Sequence, residues 1–284
     1  MNSTQKETIK EALKNYCAQQ GSQNAAAKTL NNVSAATISQ ILQGNWDNIA
    51  ATMWRRIAKQ IGVNDEWIYA PGTHIGKQLN FFLDDAKGYA NVHAIIHREG
   101  GSKTETAEYY AKNNENVWLI KSSEYFNRKT FLARILQVMG KDYSGTVSEM
   151  MEGIVRNIEQ VEEPLLIIDE ADKLNDQVLS FFITFYNELE DKCGFIVMGT
   201  DFFKKRIDKG VRLNRRGYKE LFSRFGRRFV ELRITEKQAI EDMQTIINAN
   251  GITDRLKVTE IINDSDGDLR RVKKLTVIQK RKAA

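Results

Sequence analysis

The residues best suited to chemistry are Asp169 and Glu170, adjacent carboxylates that end the aliphatic run Leu165-Leu-Ile-Ile168. A strand covered on both faces is continuously apolar, and ligands of open α/β sheets bind beyond the strands' carboxyl ends. On that reading Asp169 would hold Mg²⁺ through water and Glu170 would polarise an attacking water. The plainer alternative is a sheet strand ending in a solvated acidic turn. A second segment weighs against it: His93–Ile96 reads as a strand, followed by His97-Arg-Glu-Gly-Gly-Ser-Lys-Thr104 and a helical stretch over Glu105–Lys112. Strand, glycine-containing loop, Lys-Thr and helix is the order of a phosphate-binding loop. Lys103 would contact the β- and γ-phosphates, Thr104 would bind Mg²⁺, and the amides of Gly100, Gly101 and Ser102 would cradle the anion at the helix N-terminus. The pattern G-x-x-x-x-G-K-[ST] fails twice, with His97 at the first glycine and Ser102 at the second. A Cβ in those places restricts positive φ and crowds the phosphate.

Elements that could position these groups follow from the apolar pattern. Residues 3–68 have helical periodicity, and Pro71 marks a linker. Beyond it five apolar runs, His93–Ile96, Val117–Ile120, Leu165–Ile168, Phe195–Met198 and Phe229–Leu232, alternate with amphipathic stretches, which is the signature of an α/β domain with a parallel sheet. From Glu236 onward the pattern is helical again. The division expected is an all-α domain over 1–70, a linker over 71–76, an α/β nucleotide-binding core over 77–234 and a helical lid over 235–284. Phe195-Ile-Val-Met-Gly-Thr200 is a second buried strand, and it delivers Thr200 where a γ-phosphate or a water would sit.

Within the first unit, Ala26 and Ala27 allow two helices to cross closely, Asn31-Asn32 supplies a turn and Ser34 is a good N-cap. The segment resembles the helix-turn-helix of phage-repressor-like domains, and on that resemblance Ala35, Thr37, Ser39 and Gln40 face the DNA groove while Ile38, Ile41 and Leu42 face the core. A helical bundle for protein contact is the alternative. Arginine and asparagine are scarce on the second helix, which points to binding without strict sequence choice.

Charge is concentrated rather than spread. The 284-residue chain has a formal charge of +5, whereas residues 201–228 hold eleven Lys or Arg against three acids, a net +8. That segment includes Lys204, Lys205 and Arg206, and a second patch comprises Lys121, Arg128 and Lys129. Both are candidate duplex contacts, against the bland reading of a solvated face. Cys17 and Cys193 lie far apart outside any metal-ligand spacing, and no stretch approaches a membrane span or a secretory h-region. A soluble cytoplasmic protein without membrane partners is expected.

Two further motifs, Leu221-Phe-Ser-Arg224 and Gly267-Asp-Leu-Arg270, complete an ordered set with Lys103-Thr-Glu-Thr-Ala-Glu-Tyr-Tyr, Asn116-Val-Trp, Leu166-Ile-Ile-Asp-Glu-Ala-Asp and Val197-Met-Gly-Thr200. The set resembles the AAA+ ATPases, and more narrowly the target-DNA activators of the bacteriophage Mu B type, with a more distant similarity to the target-selecting ATPases of Tn7-like elements. It implies an AAA+ P-loop core with sensor 1 at Thr200, an arginine finger at Arg224 acting on a neighbour's nucleotide, and sensor 2 at Arg270. It further implies ATP and Mg²⁺ as cofactors, slow hydrolysis by Glu170, helical filaments on double-stranded DNA, and recruitment of a DDE transposase in a bacterial cell carrying a phage or mobile element. The alternatives are a DNA-binding adaptor that handles nucleotide poorly and a helicase loader of the related small AAA+ kind.

Overall fold

The computed structural model describes residues 3–62 and 67–283. The chain divides between Ile68 and Tyr69 into two compact units.

Among the described residues four helices make the first unit: α1 (Ser3–Gln19), α2 (Gln23–Thr29), α3 (Ala35–Gln43) and α4 (Ala51–Gln60). Their apolar residues fall at helical spacing and close on one another, with Ile9, Leu13, Ala26, Ile38, Ile41, Trp54 and Ile57 buried together. Serine hydroxyls start two of the helices, Ser22 accepting from Ala25 N at 3.0 Å and Ser34 from Thr37 N at 3.1 Å. Gly44 in the left-handed conformation stops α3. Gln60 then clamps the turn between α2 and α3, accepting from Asn31 N at 2.6 Å and donating to Asn31 O at 3.1 Å.

The second unit is a parallel sheet with helices on both faces. In chain order it runs α5 (His74–Tyr89), β1 (Val92–Ile96), α6 (Lys103–Asn113), β2 (Val117–Lys121), α7 (Arg128–Val138), α8 (Val147–Glu159), β3 (Leu165–Asp169), α9 (Asp176–Leu189), β4 (Gly194–Gly199), α10 (Asp201–Arg212), α11 (Tyr218–Arg224), β5 (Phe229–Glu231), α12 (Glu236–Ala249), α13 (Arg255–Ser265) and α14 (Leu269–Ala283). The strand order is β2-β3-β4-β1-β5, every pairing parallel. Successive β3 residues point to opposite faces. Leu165 and Ile167 join Leu79, Leu83 and Ala107, whereas Leu166 and Ile168 join Phe131, Ile135 and Phe182. Each such side chain contributes roughly 1.5–3 kcal/mol through burial, and this double covering is why the run shows no polar alternation.

All five expected strands form, and so do the helices of the expected lid. Two boundaries differ, the first by placing Tyr69 and Ala70 in the second unit. Residues 74–76 of the expected linker are already helical, because Thr73 caps α5 through Gly76 N at 3.1 Å and Asp242 of α12 accepts from His74 N at 2.7 Å. That second cap comes from a residue 168 positions away, a distance at which no local sequence signal reports it. Among the described residues no helix is long and apolar enough to cross a membrane.

Candidate nucleotide site

The carboxyl ends of β1, β3 and β4 converge, and parallel register makes that convergence obligatory. The loop after β1 leads into α6, whose first residue is Lys103. Thr104, one position on, donates its hydroxyl to Asp169 Oδ2 at 2.6 Å. The two residues expected to share a metal ion are therefore together, 65 positions apart in sequence. Asp169 also accepts from Glu170 N at 2.8 Å and is 2% exposed. Burial pushes its pKa up, and the Thr104 and Glu170 hydrogen bonds oppose that.

Lys103 is buried, and its ammonium donates to the carbonyls of His97 and Arg98, the latter at 3.0 Å. Burial lowers its pKa, against the raising influence of Asp169 and Asp172, and the charge of Arg270 adds a smaller lowering effect. Arg270 thus stands within electrostatic reach of the loop although its side chain is exposed. Glu170 takes a left-handed backbone conformation at φ 55° and pairs with Lys173 at 2.7 Å.

The two non-glycine positions of the loop are resolved in different ways. Ser102 adopts φ 63°, a conformation uncommon for a residue with a Cβ, and its buried hydroxyl has no hydrogen-bond partner. His97 lays its ring against Gly101, where a Cβ would come within 2.2 Å of the imidazole. Glycine at 101 is what lets a histidine occupy the neighbouring glycine's place. His97 Nδ1 donates to the Leu232 carbonyl at 2.9 Å, and burial pushes its pKa down to about 4. The turn between α13 and α14 approaches the same loop. Arg98 Nη2 donates to Gly267 O at 3.2 Å, and a Cβ at Gly100 would meet Asp268 Oδ1 at 2.7 Å.

Thr200 sits at the end of β4, as its motif required, but its hydroxyl donates to Asp172 Oδ1 at 2.6 Å. Asp172 also accepts from the amides of Thr200 and Phe203 at 3.1 and 2.9 Å, so it caps α10 and ties the acidic turn to β4. The partners of Asp172 lie 28 to 31 positions on, so no local motif signals its role.

Arg224 is not brought to this site. It lies at the end of α11 over the ring of Tyr186, 5.4 Å from its centroid. Tyr186 is ten residues along α9 from Asp176, about 15 Å of helix. Both α9 and α11 run from the phosphate end of the sheet towards the ends where β4 and β5 begin.

The candidate DNA contacts divide by what holds them. Lys121 pairs with Glu108, Lys204 with Asp208 at 3.0 Å, and Arg206 with Asp176 and the Leu174 carbonyl. Lys129 and Lys205 are exposed, and Arg128 is exposed beside the Phe181 ring. On α3, Gln40 is exposed, while Ala35, Thr37 and Ser39 are half-buried.

Residues 87–207, from the end of α5 through most of α10, match the AAA domain family. The chain is also 28% identical to the Mu-like prophage FluMu DNA transposition protein B of Haemophilus influenzae, over 83% of this chain and 82% of that protein. The phosphate loop, the acidic strand end and the parallel sheet fit both matches: the chain is similar to the AAA domain family over residues 87–207 and to a Mu-like DNA transposition protein B over most of its length.

Proposed function

We propose that the protein is an ATP-dependent AAA+ ATPase that binds double-stranded DNA without strict sequence choice, assembles on it as a helical filament, and recruits and stimulates a DDE transposase. The observation that carries this reading is the Thr104–Asp169 hydrogen bond at 2.6 Å beside buried Lys103. A hydroxyl and a buried carboxylate held together are hard oxygen donors of the kind Mg²⁺ requires, and the partnerless Ser102 hydroxyl beside them would be satisfied by a phosphate oxygen. Thr104 and Asp169 would hold the ion, which supplies charge neutralisation on the phosphates. Lys103, Gly100, Gly101 and Ser102 would bind the phosphates, Arg270 would approach them from the lid, and Glu170, released from Lys173, would take the proton of the attacking water. Thr200 would orient that water once its hydroxyl turns from Asp172.

Arg224 lies too far from the protein's own loop to serve it, so its proper target is the nucleotide of another copy. Nucleotide binding and assembly would then be one linked equilibrium, with ATP favouring the polymer and hydrolysis releasing it. The basic segment 201–228, the patch of Lys121, Arg128 and Lys129, and α3 of a helix-turn-helix domain supply the duplex contacts. Transposition as the setting follows from the Mu-like relative, itself a DNA transposition protein.

The test is DNA binding with ATP, ADP or no nucleotide across a salt series, with electron-microscope imaging and an E170Q variant. Binding and filaments that require ATP and outlast it in E170Q are expected. Equal binding in all nucleotide states would overturn the reading in favour of a DNA-binding adaptor.

A further inference from the structure

Arg224 is held in an unusual way for a partly buried arginine. Its nearest carboxylate oxygen, on Glu220, is 3.6 Å from Nη2, too far for a hydrogen bond. Its Nε is buried and has no acceptor. What does hold the guanidinium is the face of Tyr186, 5.4 Å away. That ring is fixed in turn, packed against Phe195 at 5.8 Å between centroids and donating its hydroxyl to Glu190 at 3.2 Å.

As a contribution to stability alone the arrangement is poor, since a buried N–H without an acceptor loses its hydration and gains no partner. As a means of presenting a cation it is good. Stacking uses the face of the guanidinium and leaves the Nη donors free in its plane, where bidentate phosphate contacts form. Glu220 is a loose competitor that a phosphate could displace. By contrast Arg206, with its ion pair to Asp176 and its bond to the Leu174 carbonyl, has its donors engaged within the fold.

We propose that Tyr186 is a positioning residue for Arg224: its ring face fixes the guanidinium near the amino-terminal edge of the sheet, in the pose that reaches a nucleotide phosphate on a second copy of the chain. The inference rests on the reading of Arg224 as a residue that acts in trans.

Mixed assemblies test it. R224A, Y186L and Y186F are assayed for DNA-stimulated ATP turnover alone and mixed with E170Q protomers, which carry an intact Arg224 and Tyr186 but cannot activate water. Y186L alone is expected to lose about tenfold or more in turnover at saturating ATP with its KM for ATP unchanged, because a misplaced group loses rate without losing substrate. Y186F, which keeps the ring, is expected to turn over like the wild type. Adding E170Q protomers should restore R224A and Y186L alike, because each retains a sound nucleotide site and lacks only a well-aimed arginine. The double variant E170Q/Y186L should fail to restore R224A. Wild-type turnover by Y186L while R224A is impaired would overturn the role of the ring. Failure of E170Q to restore Y186L while restoring R224A would also overturn it, by showing damage to the protein's own site. Unimpaired R224A would remove the trans reading itself. Should Y186L fail to fold, Y186W decides the matter: it keeps a ring face and must turn over, and an inactive, folded Y186W overturns the proposal.

Discussion

The carboxyl ends of the strands and the basic outer surfaces are both polar, yet they are built on opposite terms. At the strand ends the side chains are bonded to one another across long sequence separations, Thr104 to Asp169, Thr200 to Asp172, and Lys103 to its own loop carbonyls. On α7 and α10, Lys129 and Lys205 stand exposed, and on α3 Thr37 reaches only as far as Ser34 in its own turn. Chemistry on a phosphate needs groups fixed to within a fraction of an ångström, so the site is interlocked. Gripping a duplex through its phosphates needs exposed charge repeated along the contact, and tolerates side-chain freedom. Substitutions at the first kind of position should therefore act steeply and on one step, and those at the second shallowly and additively.

The steepest effect is expected at Glu170. Its exchange for Gln keeps size and hydrogen bonding but removes the base, so turnover should fall by about a hundredfold or more while ATP-dependent DNA binding persists. Steady-state phosphate release beside a binding titration checks this, and a variant that lost both together would show that the two regions are not separable. Asp172 comes next, as a matter of stability. Its exchange for Ala removes the acceptor for two amides and the Thr200 hydroxyl and should cost about 2 kcal/mol in urea unfolding, with T200A costing less. Equal costs would mean that the cap of α10 resides in Thr200 alone.

Legibility in the sequence follows the same division. The strands are readable because a doubly covered parallel strand leaves an unbroken apolar run, and the placement of Lys103, Thr104 and Asp169 at the strand ends because their motifs are local. The contacts of Asp172, Asp242 and Tyr186 are not readable, since each depends on a partner that the fold brings from 28 to 168 positions away. Arg206 shows the converse limit. Composition counted it with Lys204 and Lys205 as surface charge, yet its guanidinium is engaged with Asp176 and the Leu174 carbonyl. Counting charges gives the sign of a surface, and only packing tells which of them a duplex can use.

Those neighbours offer a sharper test. K205A should leave folding untouched and lower the slope of log affinity against log salt by about 0.9, the contribution of one phosphate contact. R206A should leave that slope unchanged and lower the melting temperature, because the Leu174 carbonyl loses its guanidinium donor and Asp176 keeps only the Tyr218 hydroxyl. Equal slope changes in the two variants would break the distinction between committed and available charge.

The smallest effect lies at His97, where the interlocked region meets solvent pH. The ring is half-buried and its pKa falls from 6.5 to about 4 in the folded protein, chiefly through burial. The Leu232 carbonyl can only accept, so the proton of the neutral ring sits on Nδ1. Between those two values the unfolded chain binds a proton that the folded chain does not. The contribution of neutral His97 to stability is therefore complete above pH 6.5 and is lost as the pH falls towards 4. H97Q keeps a hydrogen-bonding side chain without a titrating ring, and should lose less stability than the wild type between about pH 7 and pH 5 in urea unfolding. An equal acid loss in both proteins would place the sensitive group elsewhere. The outcome expected would identify the histidine at the first glycine position as a neutral packing element of the phosphate loop, one that repels neither Lys103 nor Arg98 at the pH where nucleotide binds.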